Sequence, residues 1–172
     1  MSKPDIKTKN LKLIPTYLWS AECFACGTNN PCGLHMKFYY DGCKYLTSSL
    51  RLKEKFKGWD QLIHGGVISV IFDELMAWTI IYITKNIMLT KSITTNYYSK
   101  VVTNTKVEAF AWIEEIKSKE AILKSELYDD KDNLCAQASG VYAIFPLKLA
   151  KKLHLMSEES VIKFKNFFSA CQ

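Results

Sequence analysis

Apolar residues change their spacing along the chain, and the changes mark out elements. Two short runs, Leu34–Tyr40 and Tyr45–Leu52, read as β-strands joined across the turn pair Asp41-Gly42. From Gly66 to about Ile83 the residues are apolar nearly all round, which predicts a helix enclosed in a core rather than one lying on a surface. After the helix the period shortens to two. Ser92–Ser99, Lys106–Lys117, Ala121–Tyr128 and Leu134–Phe145 read as strands, with Val107, Ala109, Ala111 and Ile113 alternating with Glu108, Phe110, Trp112 and Glu114. The stretch Asp129–Asn133 is a hairpin turn, and Pro146 closes the last strand. Ser157 is placed to cap a terminal helix, Ser157–Phe168, with Glu158 and Glu159 in its first turn. Residues 1–20 read as an arm or short helix, and 21–33 as a loop dense in Gly, Asn, Pro and Cys.

Two short strands, one buried helix and four longer strands joined mostly by tight turns make an antiparallel sheet with the helix on one face. This is an α+β architecture. One helix wrapped by a curved antiparallel sheet is the hotdog arrangement, the simplest way to bury Val67–Ile83 at this length. The expected division is an N-terminal arm (1–20), a hotdog domain (21–146) and a C-terminal helical extension (147–172).

Composition narrows the function. The chain has 172 residues, 48% of them hydrophobic, which suits a single domain with a sizeable core. The net charge is +6, yet Arg51 is the only arginine. Nucleic-acid readers favour arginine forks, so a lysine surplus argues against DNA or RNA and suits a phosphorylated small molecule. The longest apolar run carries Asp73 and Glu74 at its middle, which speaks against stable membrane insertion. The apolar patch near the N-terminus is broken by Lys12 and Pro15, so no secretory signal is read and a cytoplasmic protein is expected.

The candidate chemistry gathers on the helix. His64-Gly65-Gly66 opens it, and Gly66, Ser69, Asp73 and Ala77 share a narrow small or polar stripe. Such a stripe on an otherwise bulky helix leaves room for a ligand. The glycine pair is expected to present unpaired N–H groups at the positive helix end, where they could hold a carbonyl oxygen turning into an oxyanion. Asp73, two turns on, could act as general base or nucleophile. Each feature also has a plain structural reading: a histidine at a helix start, a tight entry turn, a buried paired carboxylate. Glu74 lies about 80° off the stripe and reads as a structural or interface carboxylate.

Three segments resemble the hotdog-fold acyl-CoA thioesterases of the PaaI (phenylacetate-degradation) type. They are Cys23-Phe24-x-Cys26-Gly27-x-x-Asn30-Pro31-x-Gly33-Leu34, Phe56-x-Gly58-Trp59-x-x-x-Ile63-His64-Gly65-Gly66, and Phe72-Asp73-Glu74. The resemblance covers roughly residues 21–146. It implies a dimer or tetramer with sites at the subunit interface, an acyl-CoA substrate, and no cofactor beyond the coenzyme A of that substrate. It implies that the Gly65 N–H polarises the thioester carbonyl, that Asp73 is base or nucleophile, and that His64 shapes the turn. Thr90 matches a position where some relatives offer a hydroxyl from the other subunit. Gly58 stands where several relatives carry Asn or Gln, and Lys100 where many carry Pro; Gln61, displaced by three residues, is a candidate for the missing amide. Ser69 and Ala77 are expected to touch substrate, and Ala77, Trp78 and Ile81 to cap an acyl tunnel. A non-catalytic acyl-CoA-binding module and a hotdog hydratase or dehydratase are the rival readings.

Cys23, Cys26, Cys32 and His35 have the spacing of zinc ligands. The expectation is nevertheless that no metal is bound and that the cysteines are reduced structural thiols, as suits a reducing compartment.

Overall fold

The computed structural model describes residues 3–6, 11–16 and 21–170. Among these residues, five strands precede one long helix, and four more strands and two helices follow it. Strands β1 (Lys12–Ile14), β2 (Phe38–Tyr40), β3 (Leu46–Arg51), β6 (Ile87–Tyr97), β7 (Lys106–Ile116), β8 (Glu120–Tyr128) and β9 (Leu134–Phe145) form one antiparallel sheet in the order β1-β2-β3-β7-β8-β9-β6. A small hairpin, β4 (Lys57–Trp59) and β5 (Leu62–Ile63), leads into helix α1 (Gly65–Thr84). Helices α2 (Leu147–Lys152) and α3 (Glu158–Ala170) complete the chain.

Helix α1 packs against β3, β6, β7, β8 and β9, which explains why its sequence is apolar almost all round. Ile71, Phe72, Leu75, Met76 and Ile80 are completely enclosed. The helix is long and apolar enough to cross a membrane, but most of its apolar surface is covered by the rest of the fold. Trp78 stacks on Phe38 at 5.9 Å and meets Phe167 of α3 at 5.4 Å, so the C-terminal extension closes one side of the core. Its lysines at 151, 152, 163 and 165 remain exposed. Ser157 Oγ accepts the Ser160 N–H at 3.1 Å, the cap that the sequence anticipates.

Three expectations are corrected. Part of the N-terminal arm is strand rather than helix, since residues 12–14 pair with residues 38–40; Tyr17–Ser20 lie outside the described residues. The strand predicted from Ser92 begins at Ile87. It also does not form a hairpin with the next strand: β6 crosses to the far edge and pairs with β9, while β7 pairs with β3. That crossing leaves β6 as an edge strand of 11 residues lying along α1, exposed over much of its length.

Candidate active site

The entry to α1 is fixed by His64. Its backbone is extended (φ −62°, ψ 130°), and its Nδ1 accepts the Gly66 N–H at 2.9 Å. Its carbonyl accepts the Val67 N–H at 2.9 Å. These bonds correct the picture of two open glycine amides, because Gly66 is already capped. The Gly65 N–H makes no hydrogen bond among the described residues. Gly65 lines a cavity of about 330 Å³ with Ile68, Tyr97 and Lys100. Above it, the Tyr97 hydroxyl donates to the Gly65 carbonyl at 2.9 Å and bonds Ser69 Oγ, also at 2.9 Å. Ser69 Oγ lies 3.2 Å from Thr95 Oγ1 as well, so its hydroxyl is committed within the protein.

The absence of a side chain at position 58 has a geometric cause. A Cβ on Gly58 would sit 3.1 Å from His64 Cα and 3.2 Å from its ring, so the hairpin packs directly on the cap. Gln61 is exposed at the turn of that hairpin, and its carbonyl accepts the Thr103 N–H at 2.7 Å.

Asp73 is half-buried, and its Oδ1 accepts two hydroxyls: Thr90 at 2.8 Å and Tyr142 at 3.2 Å. Its Oδ2 makes no hydrogen bond among the described residues. The sheet is shaped to deliver both donors. Thr90 pairs with Tyr142 across β6 and β9, and the register slips immediately afterwards, where Ser92 pairs with Val141. A bulge of this kind re-aims side chains at functional sites. Tyr142 also needs a glycine two residues earlier on the same strand face, since a Cβ at Gly140 would stand 2.6 Å from its ring. Burial, then the Asp73 charge beside it, push the Tyr142 phenol well above its usual range, so it stays a donor.

Thr90 opens on a second cavity of about 1020 Å³. Lys91, Lys117 and Lys119 line it together with Ile144, Phe145 and Leu149.

One residue further along α1, Glu74 faces a different neighbourhood. Its Oε1 accepts the Trp78 indole N–H at 2.9 Å and lies 3.4 Å from Cys23 Sγ. Burial raises the Glu74 carboxyl to about 7. A hydrogen bond from Cys26 pulls the Cys23 thiol down, whereas that same bond and burial push Cys26 up.

Residues 60–136 match the family model described as the thioesterase superfamily. The fold is the hotdog fold, shared with the solved thioesterase structures that align to it. A thioesterase from Pseudomonas aeruginosa aligns at TM-score 0.60 with 18% identity, over 66% of this chain and 83% of its own. The Escherichia coli PaaI protein aligns at TM-score 0.58 with 12% identity, over 65% and 80%. A hypothetical thioesterase from Streptococcus pneumoniae, solved with coenzyme A, aligns at TM-score 0.56 with 8% identity, over 59% and 81%. A comparison with curated proteins finds no significant match. The PaaI-type resemblance read from the three segments is thus borne out in the fold and in the match of residues 60–136 to the superfamily model.

Within this hotdog domain the predicted residues divide into groups. Asp73 and Thr90 meet directly within one chain. His64, Gly65 and Gly66 form the helix entry, and Gly65 keeps the open amide. Ala77 is buried, and Trp78 bonds Glu74 and packs on Phe38 and Phe167. Cys32 is exposed and His35 Nδ1 bonds the Gly27 carbonyl at 2.8 Å, so the four residues whose spacing resembles zinc ligands do not gather in one place. Sequence reasoning missed Tyr142 and Tyr97. The Gly140-x-Tyr142 pair, a glycine inside an otherwise strong strand, was the available signal for the first.

Proposed function

We propose that the protein is an acyl-CoA thioesterase whose site is assembled from two copies of the chain. The observation that carries this reading is the Asp73 carboxylate, with one oxygen clamped by Thr90 and Tyr142 and the other open. An oriented carboxylate with a free oxygen can take a proton from water as that water attacks an acyl carbon. The Gly65 N–H, unspent at the helix N-terminus, can hold the carbonyl oxygen as it gains charge. The carbon–sulfur bond then breaks, and the coenzyme A thiolate leaves and takes up a proton.

One chain does not supply both groups to one carbonyl. Gly65 and Asp73 are eight residues apart on a single helix, which at 1.5 Å rise per residue is about 12 Å. A thioester carbonyl needs donor and water within hydrogen-bond reach at once. Two antiparallel copies of α1 bring the tip of one beside the flank of the other. The exposed β6 edge supports such a dimer, since an unpaired strand of this length invites continuation by a second copy.

Substrate class follows from the cavity beside Thr90. Lysines at 91, 117 and 119 suit the phosphates of coenzyme A, and Ile144, Phe145 and Leu149 offer apolar contact. The coenzyme A carried by the Streptococcus pneumoniae relative agrees with this choice. Neither nucleic acid nor stable membrane insertion is part of the reading, no further cofactor is invoked, and a cytoplasmic setting is retained on sequence grounds.

Thiol release from a panel of short, medium, long and aryl acyl-CoAs tests the proposal. Turnover of at least one class is expected; tight acyl-CoA binding without any thiol release would make the protein a binding module instead. Thr90→Val removes one donor from Asp73 while keeping the side-chain shape. It is expected to slow hydrolysis about tenfold, the worth of one hydrogen bond to a charged group, and an unchanged rate would remove Thr90 from the mechanism.

A further inference from the structure

We propose that Cys23, Cys26 and Glu74 form a zinc site that ties the loop at 21–33 to helix α1. The three ligand atoms lie within 4.8 Å of one another. Around a tetrahedral zinc with 2.3 Å bonds to sulfur, neighbouring sulfurs stand about 3.8 Å apart, so the cluster needs little movement to close on one ion. The loop is built as a tight turn on the first sulfur. Ala25 N–H donates to Cys23 Sγ at 3.3 Å, and Gly27 N–H donates to the Cys23 carbonyl at 2.9 Å. Only glycine fits at position 27, because a Cβ there would meet three backbone atoms at 2.5 Å.

The carboxylate supplies the second, independent reason. Glu74 is mounted on a core helix, and no ion pair among the described residues includes it. A carboxylate taken out of water without a cation is costly. A divalent ion held jointly with two thiolates removes that cost, and the Trp78 indole N–H orients the carboxylate as an outer partner orients a metal ligand. Two soft thiolates with one carboxylate favour zinc over magnesium or calcium, leaving the fourth position to water. The site revises the expectation of metal-free thiols, and it replaces Cys32 and His35 by a residue 51 positions from Cys23.

The test uses the full chain purified without chelators from zinc-supplemented cells. Elemental analysis is expected to give about one zinc per chain. Cys23→Ser and Glu74→Gln should each weaken zinc retention by about tenfold or more, while Cys32→Ser and Cys43→Ser should retain it. Should the ligand variants fail to fold, cobalt replacement in the unaltered protein decides, because cobalt in this site must show thiolate-to-metal charge transfer and tetrahedral ligand-field bands. Protein that stays free of zinc after dialysis against the ion overturns the proposal. So does a different metal at stoichiometry, zinc lost equally in Cys32→Ser or Cys43→Ser, or a cobalt spectrum without thiolate bands. Metal content is read independently of hydrolysis, so this outcome does not depend on the enzymatic reading.

Discussion

Asp73→Asn is expected to lower acyl-CoA hydrolysis by about 100- to 10,000-fold, the range for losing a positioned general base. The substitution is nearly isosteric. Its amide oxygen can still accept from Thr90 and Tyr142, as Asp73 Oδ1 does at 2.8 and 3.2 Å. What changes is the second atom: an amide nitrogen replaces the open Oδ2 and cannot take a proton from water. The loss should therefore fall on kcat, with KM and the unfolding midpoint close to the unaltered protein. Circular dichroism with steady-state kinetics checks both halves of that statement, and a kcat within a few-fold of normal would clear Asp73 of a catalytic role.

Gly65→Pro should reduce kcat by about 100- to 1,000-fold, the cost of removing one oxyanion donor. The substitution deletes a single N–H, one that no group among the described residues uses. Proline is tolerated at the first position of a helix, which Gly65 occupies, because that N–H has no helical partner. The preceding residue must then be extended, and His64 already is, at φ −62° and ψ 130°. Gly65→Ala is the matched control. Its Cβ would meet the Tyr97 ring at 3.4 Å, an ordinary contact, and the amide survives. Near-normal activity in the alanine variant beside a large loss in the proline variant isolates the N–H. Equal losses in both would instead indict space at the helix tip.

How far these residues could be read from sequence depended on the range of the interactions that place them. The buried helix was legible because five strands and α3 surround it, so nearly every face had to be apolar. The strands after it were legible from their alternation, but their neighbours were not. Pairing of β6 with β9 rather than β7 is a matter of sheet topology, and local periodicity is the same either way. That choice decided the site, because it set Thr90 opposite Tyr142 and aimed both hydroxyls at Asp73. The three-residue strand β1 was too short to show a period at all. At the helix tip the glycines were visible and the capping of Gly66 was not, since whether a histidine turns back on the helix depends on its rotamer. The cysteine spacing was visible too, but the side chain that gathers with Cys23 and Cys26 comes from the core helix instead of the loop.

In the proposed dimer, each site takes its oxyanion amide from one copy and its carboxylate from the other. A hybrid dimer of one Asp73→Asn chain and one Gly65→Pro chain, carrying different tags and purified through both, measures this directly. Each parent homodimer should be nearly inactive. The hybrid should recover about half of the unaltered dimer's activity, because one of its two sites then holds an intact amide and an intact carboxylate. A purified hybrid as inactive as its parents would contradict the account.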